Sequence, residues 1–108
     1  MPIRLPDTLA RYFTAASAHD AEAMSAVFAS TAVVRDEGRE HRGLAAIRRW
    51  MQETFDKYEY TVEPQAFEER GGKWVVIGLV AGPFPGSPVS IRHEFTLEGG
   101  KITQLEIG

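Results

Sequence analysis

The chain has 108 residues, of which 44% are hydrophobic and 25% charged, and its formal net charge is −3. This length predicts one domain over residues 1–108, and the ordinary globular composition excludes disordered, collagen-like and coiled-coil classes. The chain contains no cysteine, which excludes a disulfide framework, a thiolate zinc site and a cysteine nucleophile.

The charge distribution and the length of the apolar runs argue against two kinds of partner, nucleic acids and membranes. The most basic stretch, residues 35–57, mixes six basic with five acidic residues, so it offers no strongly positive face for nucleic acid. The longest apolar run, residues 74–82, is far shorter than the roughly 20 residues of a membrane-spanning helix. Two prolines and an aspartate interrupt residues 1–7, where a signal peptide would need apolar residues. We therefore expect a cytoplasmic protein that binds neither nucleic acid nor membranes.

Helical periodicity dominates the first half of the chain. A stripe of apolar side chains predicts a first helix that begins near Pro6 or Asp7, and its members are Leu9, Tyr12, Phe13 and Ala16. Asp20 is suited to cap a second, shorter helix. The apolar side of that helix is expected to carry Met24, Val27 and Phe28.

A short strand and a third helix follow. Residues 32–34 predict the strand, and residues 36–38 form an acidic turn with a glycine. The third helix begins after Gly43, and the helical period of its apolar residues continues to Tyr58.

Strand patterns dominate the second half. Two Gly-Gly-Lys turns, residues 71–73 and 99–101, mark hairpins, and residues 82–88 contain too many prolines for a central strand and predict a wide loop. The predicted strands are residues 58–63, 74–81, 91–97 and 102–107. Three helices followed by an antiparallel meander indicate an α+β fold in which the sheet curls around the helices.

Several segments resemble the nuclear transport factor 2-like superfamily, and the branch they are most similar to contains SnoaL-like proteins, polyketide cyclases and ketosteroid isomerases. The segments are residues 11–13, 19–20, 28–34, 42–50 and 93–102. The resemblance implies a cone-shaped, curved, mostly antiparallel sheet wrapped around three N-terminal helices, with a deep apolar pocket inside. It also implies a homodimer that associates through the outer face of the sheet.

Asp36 is the first candidate catalytic residue. Residues 32–36 match an Ala-x-Val-x-Asp pattern, which in the isomerase branch precedes and includes the catalytic aspartate. A partly desolvated carboxylate of this kind can move a proton between carbons next to a carbonyl. The alternative is a solvated turn in which Asp36 hydrogen-bonds to its own backbone.

His93 and Tyr12 are the other two candidate catalytic residues. His93 alternates with Ile91 and Phe95 on the inward face of a strand, at a position where the isomerase pattern has a protonated acid, so the ketosteroid reaction itself is in question. Tyr12 aligns with the tyrosine of the isomerase branch and could donate a hydrogen bond to an oxyanion. Either side chain could instead be a hydrogen-bonded core residue.

Further residues are candidates for the pocket wall, although each could equally belong to the core: Phe13, Trp50, Phe55, Tyr60 and Phe95. His41 is expected to be a solvated residue at a strand end, and His19 to be structural. The histidines lack the spacing of a metal site and no cofactor motif is present, so we expect neither metal nor cofactor.

The predicted function is that of a small-molecule pocket protein. One hypothesis is a cofactor-free isomerase, cyclase or hydratase-like lyase that acts on a small apolar carbonyl compound, with Asp36 as the base and Tyr12 and His93 acting on the enolate. The alternatives are a domain that binds a hydrophobic ligand without converting it and a dimeric scaffold.

Overall fold

The computed structural model describes residues 4–108, which form three helices and six strands. The helices are α1 (Asp7–Ser17), α2 (Ala21–Ser25) and α3 (Gly43–Tyr58). The strands are β1 (Phe28–Asp36), β2 (Arg39–Arg42), β3 (Thr61–Arg70), β4 (Lys73–Ala81), β5 (Val89–Glu98) and β6 (Lys101–Ile107). The predicted α+β class is confirmed: one curved sheet packs around the helices, and it does not close into a barrel.

The order of the strands places β6, the last strand, between β1 and β5. The order is β2-β1-β6-β5-β4-β3, and every neighbouring pair is antiparallel except β1 and β6, which are parallel. Arg35 pairs with Glu106, so the next residue, Asp36, lies beside the end of β6. His93 pairs with Ile107 on the other side of β6. The register therefore places Asp36 and His93 at the same end of the sheet, separated by one strand.

Two features of the N-terminal half differ from the sequence prediction. Helix α2 ends at Ser25, so Val27 lies in the turn that follows and Phe28 is the first residue of β1. Periodicity did not show this boundary because apolar residues lie on both sides of the turn. Strand β2 was not predicted, since its four residues are all polar and show no alternation. It pairs with β1 through a two-residue turn in which Glu37 has φ 53° and Gly38 φ 74°, the left-handed geometry that such a hairpin turn requires.

Side-chain hydrogen bonds hold the start of α2 and the end of α1. The Asp20 carboxylate caps α2 as predicted, because its Oδ1 accepts from the Ala23 N–H at 3.0 Å. At the end of α1, Ser17 Oγ accepts from the Val62 N–H at 2.9 Å and donates to the Val62 carbonyl at 3.0 Å. These two bonds hold α1 against the start of β3.

The core lies between α1, α3 and the concave face of the sheet. Its fully buried side chains include Leu9, Ile47, Phe95, Ile102 and Leu105. The outer face of the sheet is largely charged, apart from a half-buried stripe on β4 formed by Val75, Ile77 and Leu79. None of the helices within residues 4–108 is long and apolar enough to cross a membrane.

Candidate functional site

A cavity of about 460 Å³ lies where α1 and α3 meet the β1–β2 turn and the inner face of the meander. This volume falls in the range of small-molecule sites, roughly 300–1,000 Å³. The apolar part of the wall consists of Trp50, Val62, Val80, Phe84, Ile91 and Ile107. The polar side chains that reach it are Tyr12, Asp36, Glu37, Thr54, Tyr58, Tyr60 and His93. The cavity thus combines a mostly apolar wall with a few convergent polar groups.

Asp36 is a half-buried carboxylate in the wall of this cavity. It is the last residue of β1, and its Oδ2 accepts a hydrogen bond from Trp50 Nε1 at 3.0 Å. Burial raises the pKa of Asp36, and the neighbouring Glu37 charge acts in the same direction. The Trp50 hydrogen bond and a positive charge on His41 both lower the pKa of Asp36 and partly offset that rise.

Trp50 is contacted by Thr54 at its backbone and by His41 at its indole ring. Thr54 Oγ1 donates to the Trp50 carbonyl at 2.7 Å, one turn further along α3. The His41 ring lies 6.1 Å from the indole at an interplanar angle of 33°. His41 is therefore not the solvated strand-end residue that the sequence suggested: it is half-buried on β2, because strand pairing with Val34 turns its ring toward α3.

His93 is a buried imidazole whose ring proton is already engaged. Its Nδ1 lies 3.0 Å from the Ile91 carbonyl oxygen, and since a carbonyl only accepts, Nδ1 carries the proton of the neutral ring. Burial lowers the pKa of His93 to about 4, while hydrogen bonds to the Ile91 and Val76 carbonyls oppose that change. His93 is therefore neutral at neutral pH, and its single N–H does not point at a ligand. The sequence-based role of His93 as a donor to an oxyanion stays a prediction, and in this conformation the Nδ1–H is bound to a backbone carbonyl.

A glycine makes room for the His93 ring. A Cβ built at Gly78 would lie 3.2 Å from His93 Cε1 and 2.8 Å from a Val62 methyl group. The ring also lies parallel to Phe95, at 9° and 6.1 Å, and edge-on to Phe13 at 5.5 Å. These contacts fix the ring orientation.

Tyr12 and Tyr60 bring two phenol groups to the cavity from different elements. Tyr12 lies on α1 and is 2% exposed, and Tyr60 precedes β3 and is 8% exposed. Burial raises the pKa of both hydroxyls well above that of free tyrosine, and a negative charge on Asp36 adds to the rise in each. Both phenols are therefore neutral hydrogen-bond donors over the physiological pH range.

The structure divides the sequence candidates into two groups. Tyr12, Asp36 and His93 reach one cavity, together with the pocket candidates Trp50 and Tyr60. The other pocket candidates, Phe13, Phe55 and Phe95, do not line the cavity. Each of these three is at most 3% exposed and packs within the core, because an inward-facing position on a helix or strand can lie either at the cavity or below it.

Two residues at the mouth of the cavity, Glu37 and Tyr58, were not identified as site residues from the sequence. The Tyr58 hydroxyl, at the end of α3, donates to Glu37 Oε1 in the β1–β2 turn. Phe84, in the predicted wide loop after β4, packs edge-on against Tyr58 at 5.8 Å. The turn-forming sequence Asp36-Glu37-Gly38 was the local signal for the side of the mouth that holds Glu37. In the part of the chain that the structure describes, no cluster of three His, Asp or Glu side chains could hold a metal ion.

Comparison with known proteins agrees with this architecture. The family model described as SnoaL-like domain matches residues 9–105. A candidate polyketide cyclase from Sinorhizobium meliloti superposes with a TM-score of 0.92 at 43% identity, over 96% of this chain and 95% of that one. No curated protein matches the sequence.

Two more distant structures share the fold. A hypothetical protein from Catenulispora acidiphila with a ketosteroid isomerase-like fold, solved with trimethylamine, has a TM-score of 0.85 at 17% identity over 97% and 86% of the two chains. The epoxide hydrolase/cyclase-like enzyme SalBIII, of pyran ring formation in salinomycin, has a TM-score of 0.81 at 22% identity over 94% and 86%. The family match, the superpositions and the open cone around this cavity agree, and the chain belongs to the SnoaL-like domain family.

Proposed function

We propose that this protein is a cofactor-independent proton-transfer enzyme, of isomerase or cyclase type, whose substrate is a small apolar carbonyl compound. The observation that carries the proposal is the position of Asp36, a half-buried carboxylate held by Trp50 in the wall of a mostly apolar cavity. A carboxylate in such a setting is a stronger base than one in water.

In the proposed first step, Asp36 takes a proton from the carbon next to the substrate carbonyl. The electron pair of the broken C–H bond moves into the carbonyl group, and the oxygen becomes an enolate oxyanion. The neutral Tyr12 hydroxyl donates a hydrogen bond to that oxygen, where it stabilises the charge as it develops. His93 orients the substrate through van der Waals contact and through Nε2, which can accept a hydrogen bond.

The enolate can react further in either of two ways. In an isomerase, Asp36 returns the proton to a different carbon of the conjugated system. In a cyclase, the enolate carbon attacks a second carbonyl of the same molecule, a C–C bond forms, and the proton goes to the new alkoxide. The 43% identity with the candidate polyketide cyclase from Sinorhizobium meliloti supports the cyclase form.

The first step can be tested without knowledge of the natural substrate. In deuterated water, proton NMR follows the loss of the α-hydrogens of 2-tetralone, a bicyclic apolar ketone. We expect the wild-type protein to accelerate this exchange and Asp36→Asn to slow it by about 100-fold or more, the usual effect of losing a general base. Asp56→Asn, at an exposed position on α3, is the matched control and should retain the wild-type rate.

The outcome separates catalysis from binding alone. If Asp36→Asn and wild type exchange the α-hydrogens equally fast, Asp36 is not the base and the proposal fails. If both proteins bind 2-tetralone but neither accelerates its α-hydrogen exchange, the result favours the alternative, a domain that binds apolar ligands without converting them.

A further inference from the structure

Two carboxylates, and no basic group that is charged at neutral pH, lie on the wall of the cavity. Of the residues within 4–108 that line it, Asp36 and Glu37 are acidic and none is a lysine or an arginine. His93 is the one histidine among them, and its pKa of about 4 keeps it neutral at neutral pH. A ligand in the cavity therefore meets acidic groups without a basic side chain beside them.

The partners of these two carboxylates are neutral. Asp36 accepts from the Trp50 indole, and Glu37 accepts from the Tyr58 hydroxyl. Within the described part of the chain, neither carboxylate belongs to an ion pair. Burial and the charge on Glu37 both raise the pKa of Asp36. A positive charge on a ligand would offset both effects, because it stabilises the ionised carboxylate.

Aromatic rings accompany the carboxylates at the mouth of the cavity. Tyr58, whose hydroxyl is bonded to Glu37, packs edge-on against Phe84 at 5.8 Å, and both residues line the cavity. The face of an aromatic ring attracts ammonium groups. The chain shows this attraction itself, since Lys57 Nζ lies 5.0 Å from the centre of the Tyr58 ring. A carboxylate next to aromatic rings is a combination suited to a substituted ammonium group.

Lys57 compensates the charge of Glu37 only in part and from outside the cavity. Lys57 and Arg39 line a separate depression and do not line the cavity. The charge on Glu37 raises the pKa of Lys57, so each of the two groups lies in the field of the other. Because Lys57 is exposed, solvent and salt screen its charge. The cavity side of the mouth thus remains available to a second cation.

We infer that Glu37 and Tyr58 form a charge-selective mouth, and that the substrate is a carbonyl compound which carries a substituted ammonium group. The inference rests on the proposed function and adds a charged group to the substrate proposed there. The carbonyl end occupies the apolar part of the cavity beside Asp36, and the ammonium group lies at the mouth near Glu37, Tyr58 and Phe84. A substrate with an anionic group at that place would face two carboxylates and is rejected.

Three ketones of similar shape test the inference through binding alone. Each joins a phenyl ketone through one methylene group to a different end group. The end group is trimethylammonium in phenacyltrimethylammonium, tert-butyl in phenyl neopentyl ketone, and sulfonate in phenacylsulfonate. Titration calorimetry measures the three affinities, and the ratio of the first to the second gives the preference for positive charge. A change in cavity shape affects both affinities and largely cancels in this ratio.

Variants of opposite charge should move the ratio in opposite directions. We expect the wild type to prefer the ammonium probe to the neutral one by about tenfold, and to bind the sulfonate most weakly. Glu37→Gln should lower the ratio by about threefold or more, and Lys57→Gln should raise it by about twofold because it removes a competing cation. Glu98→Gln, exposed at the opposite end of β5, is the matched control and should keep the wild-type ratio.

Several results would overturn the inference. It fails if the wild type does not bind the ammonium probe, or binds it no more tightly than the neutral probe. It also fails if Glu37→Gln changes the ratio no more than Glu98→Gln does, or if Lys57→Gln does not raise it. If Glu37→Gln does not fold, the wild-type ratio at high salt decides, because salt screens an exposed charge and should lower the ratio; an unchanged ratio would overturn the inference.

These binding measurements fail independently of the proposed reaction. If the exchange of 2-tetralone does not depend on Asp36 while the charge preference holds, the proposed reaction is wrong and the mouth selects cationic ligands for binding alone. If the exchange depends on Asp36 and the preference is absent, the proposed reaction stands and the inference about the ammonium group is wrong.

Discussion

The Trp50 indole donates a hydrogen bond to Asp36 across 3.0 Å and so joins the middle of α3 to the end of β1. The bond engages Oδ2, and a hydrogen bond from the Glu37 backbone also reaches the carboxylate. It also stabilises the ionised form against the desolvation that raises the pKa of Asp36. This hydrogen bond thus moderates the basicity of the proposed base.

Replacement of Trp50 by phenylalanine should raise the pKa of Asp36 further. The substitution keeps an aromatic ring against His41 but removes the side-chain hydrogen bond that lowers this pKa. Carbon-13 NMR of the Asp36 carboxyl during a pH titration measures the change. Trp74→Phe is the control, because Trp74 packs against Phe67 and does not line the cavity; an equal effect of both variants would contradict the role of Trp50.

His93 should make the folded protein sensitive to mild acid. Its folded-state pKa of about 4 lies below that of an unfolded histidine, about 6.5, so its stabilising contribution is complete above the unfolded value and is lost as the pH falls toward the folded one. The loss in the free energy of unfolding is up to about 3 kcal/mol. Urea unfolding of wild type and His93→Gln at several pH values measures this effect. The free energy of unfolding of the variant should depend less on pH over this interval than that of wild type, and an equal dependence on pH would refute the prediction.

Asp36 should have the opposite effect on stability. Its folded-state pKa is raised, so its favourable contribution is complete below the unfolded value of about 3.9 and is lost as the pH rises through the folded value. We therefore expect Asp36→Asn to melt at a higher temperature than wild type near pH 7 and at a similar temperature near pH 3, where both side chains are neutral. A calorimetric difference that does not change with pH would contradict this account of Asp36.

Alanine substitutions of Phe95 and Phe84 should affect different properties, the stability of the protein in the first case and the cavity in the second. Phe95 is fully buried below the cavity, and Phe95→Ala should lower the free energy of unfolding by about 3–5 kcal/mol. Phe84 is half-buried at the mouth, so Phe84→Ala should cost less stability but slow the exchange of the α-hydrogens of 2-tetralone. Chemical denaturation and proton NMR of the exchange measure the two quantities. A stability loss for Phe84→Ala as large as that for Phe95→Ala would contradict this division.

We propose that the outer face of the sheet forms a homodimer. The half-buried stripe of Val75, Ile77 and Leu79 on β4 is an apolar strip on an otherwise charged face. Sedimentation velocity should show a dimer for wild type and a monomer for Ile77→Asp, since burying an unpaired charge is strongly unfavourable. A monomeric wild type would refute the proposal.

Local patterns in the sequence were sufficient for most of the fold. The helical period from Leu9, the capping aspartate Asp20 and the Gly-Gly-Lys turns each specify structure through neighbouring residues, and the structure contains the corresponding elements. Strand β2 was missed because a polar strand is defined by its hydrogen bonds to β1 and not by its own residues.

The candidate site was less predictable, because its contacts join distant segments. Nothing local indicates that Trp50 reaches Asp36, fourteen positions earlier, since that contact depends on how α3 packs across the end of β1. His93 and Phe95 share the inner face of β5, yet of these two only His93 lines the cavity. The difference lies in their positions along the strand, which the alternation of apolar and polar residues does not predict.

The most direct test of the central claim compares two titrations of the same protein. The rate of α-hydrogen exchange of 2-tetralone is measured over a range of pH, and the Asp36 carboxyl is titrated by carbon-13 NMR over the same range. If Asp36 is the base, the exchange rate rises with pH with a midpoint equal to the pKa of Asp36, and this midpoint lies above that of an ordinary aspartate. An exchange rate that does not follow the ionisation of Asp36 would contradict the account.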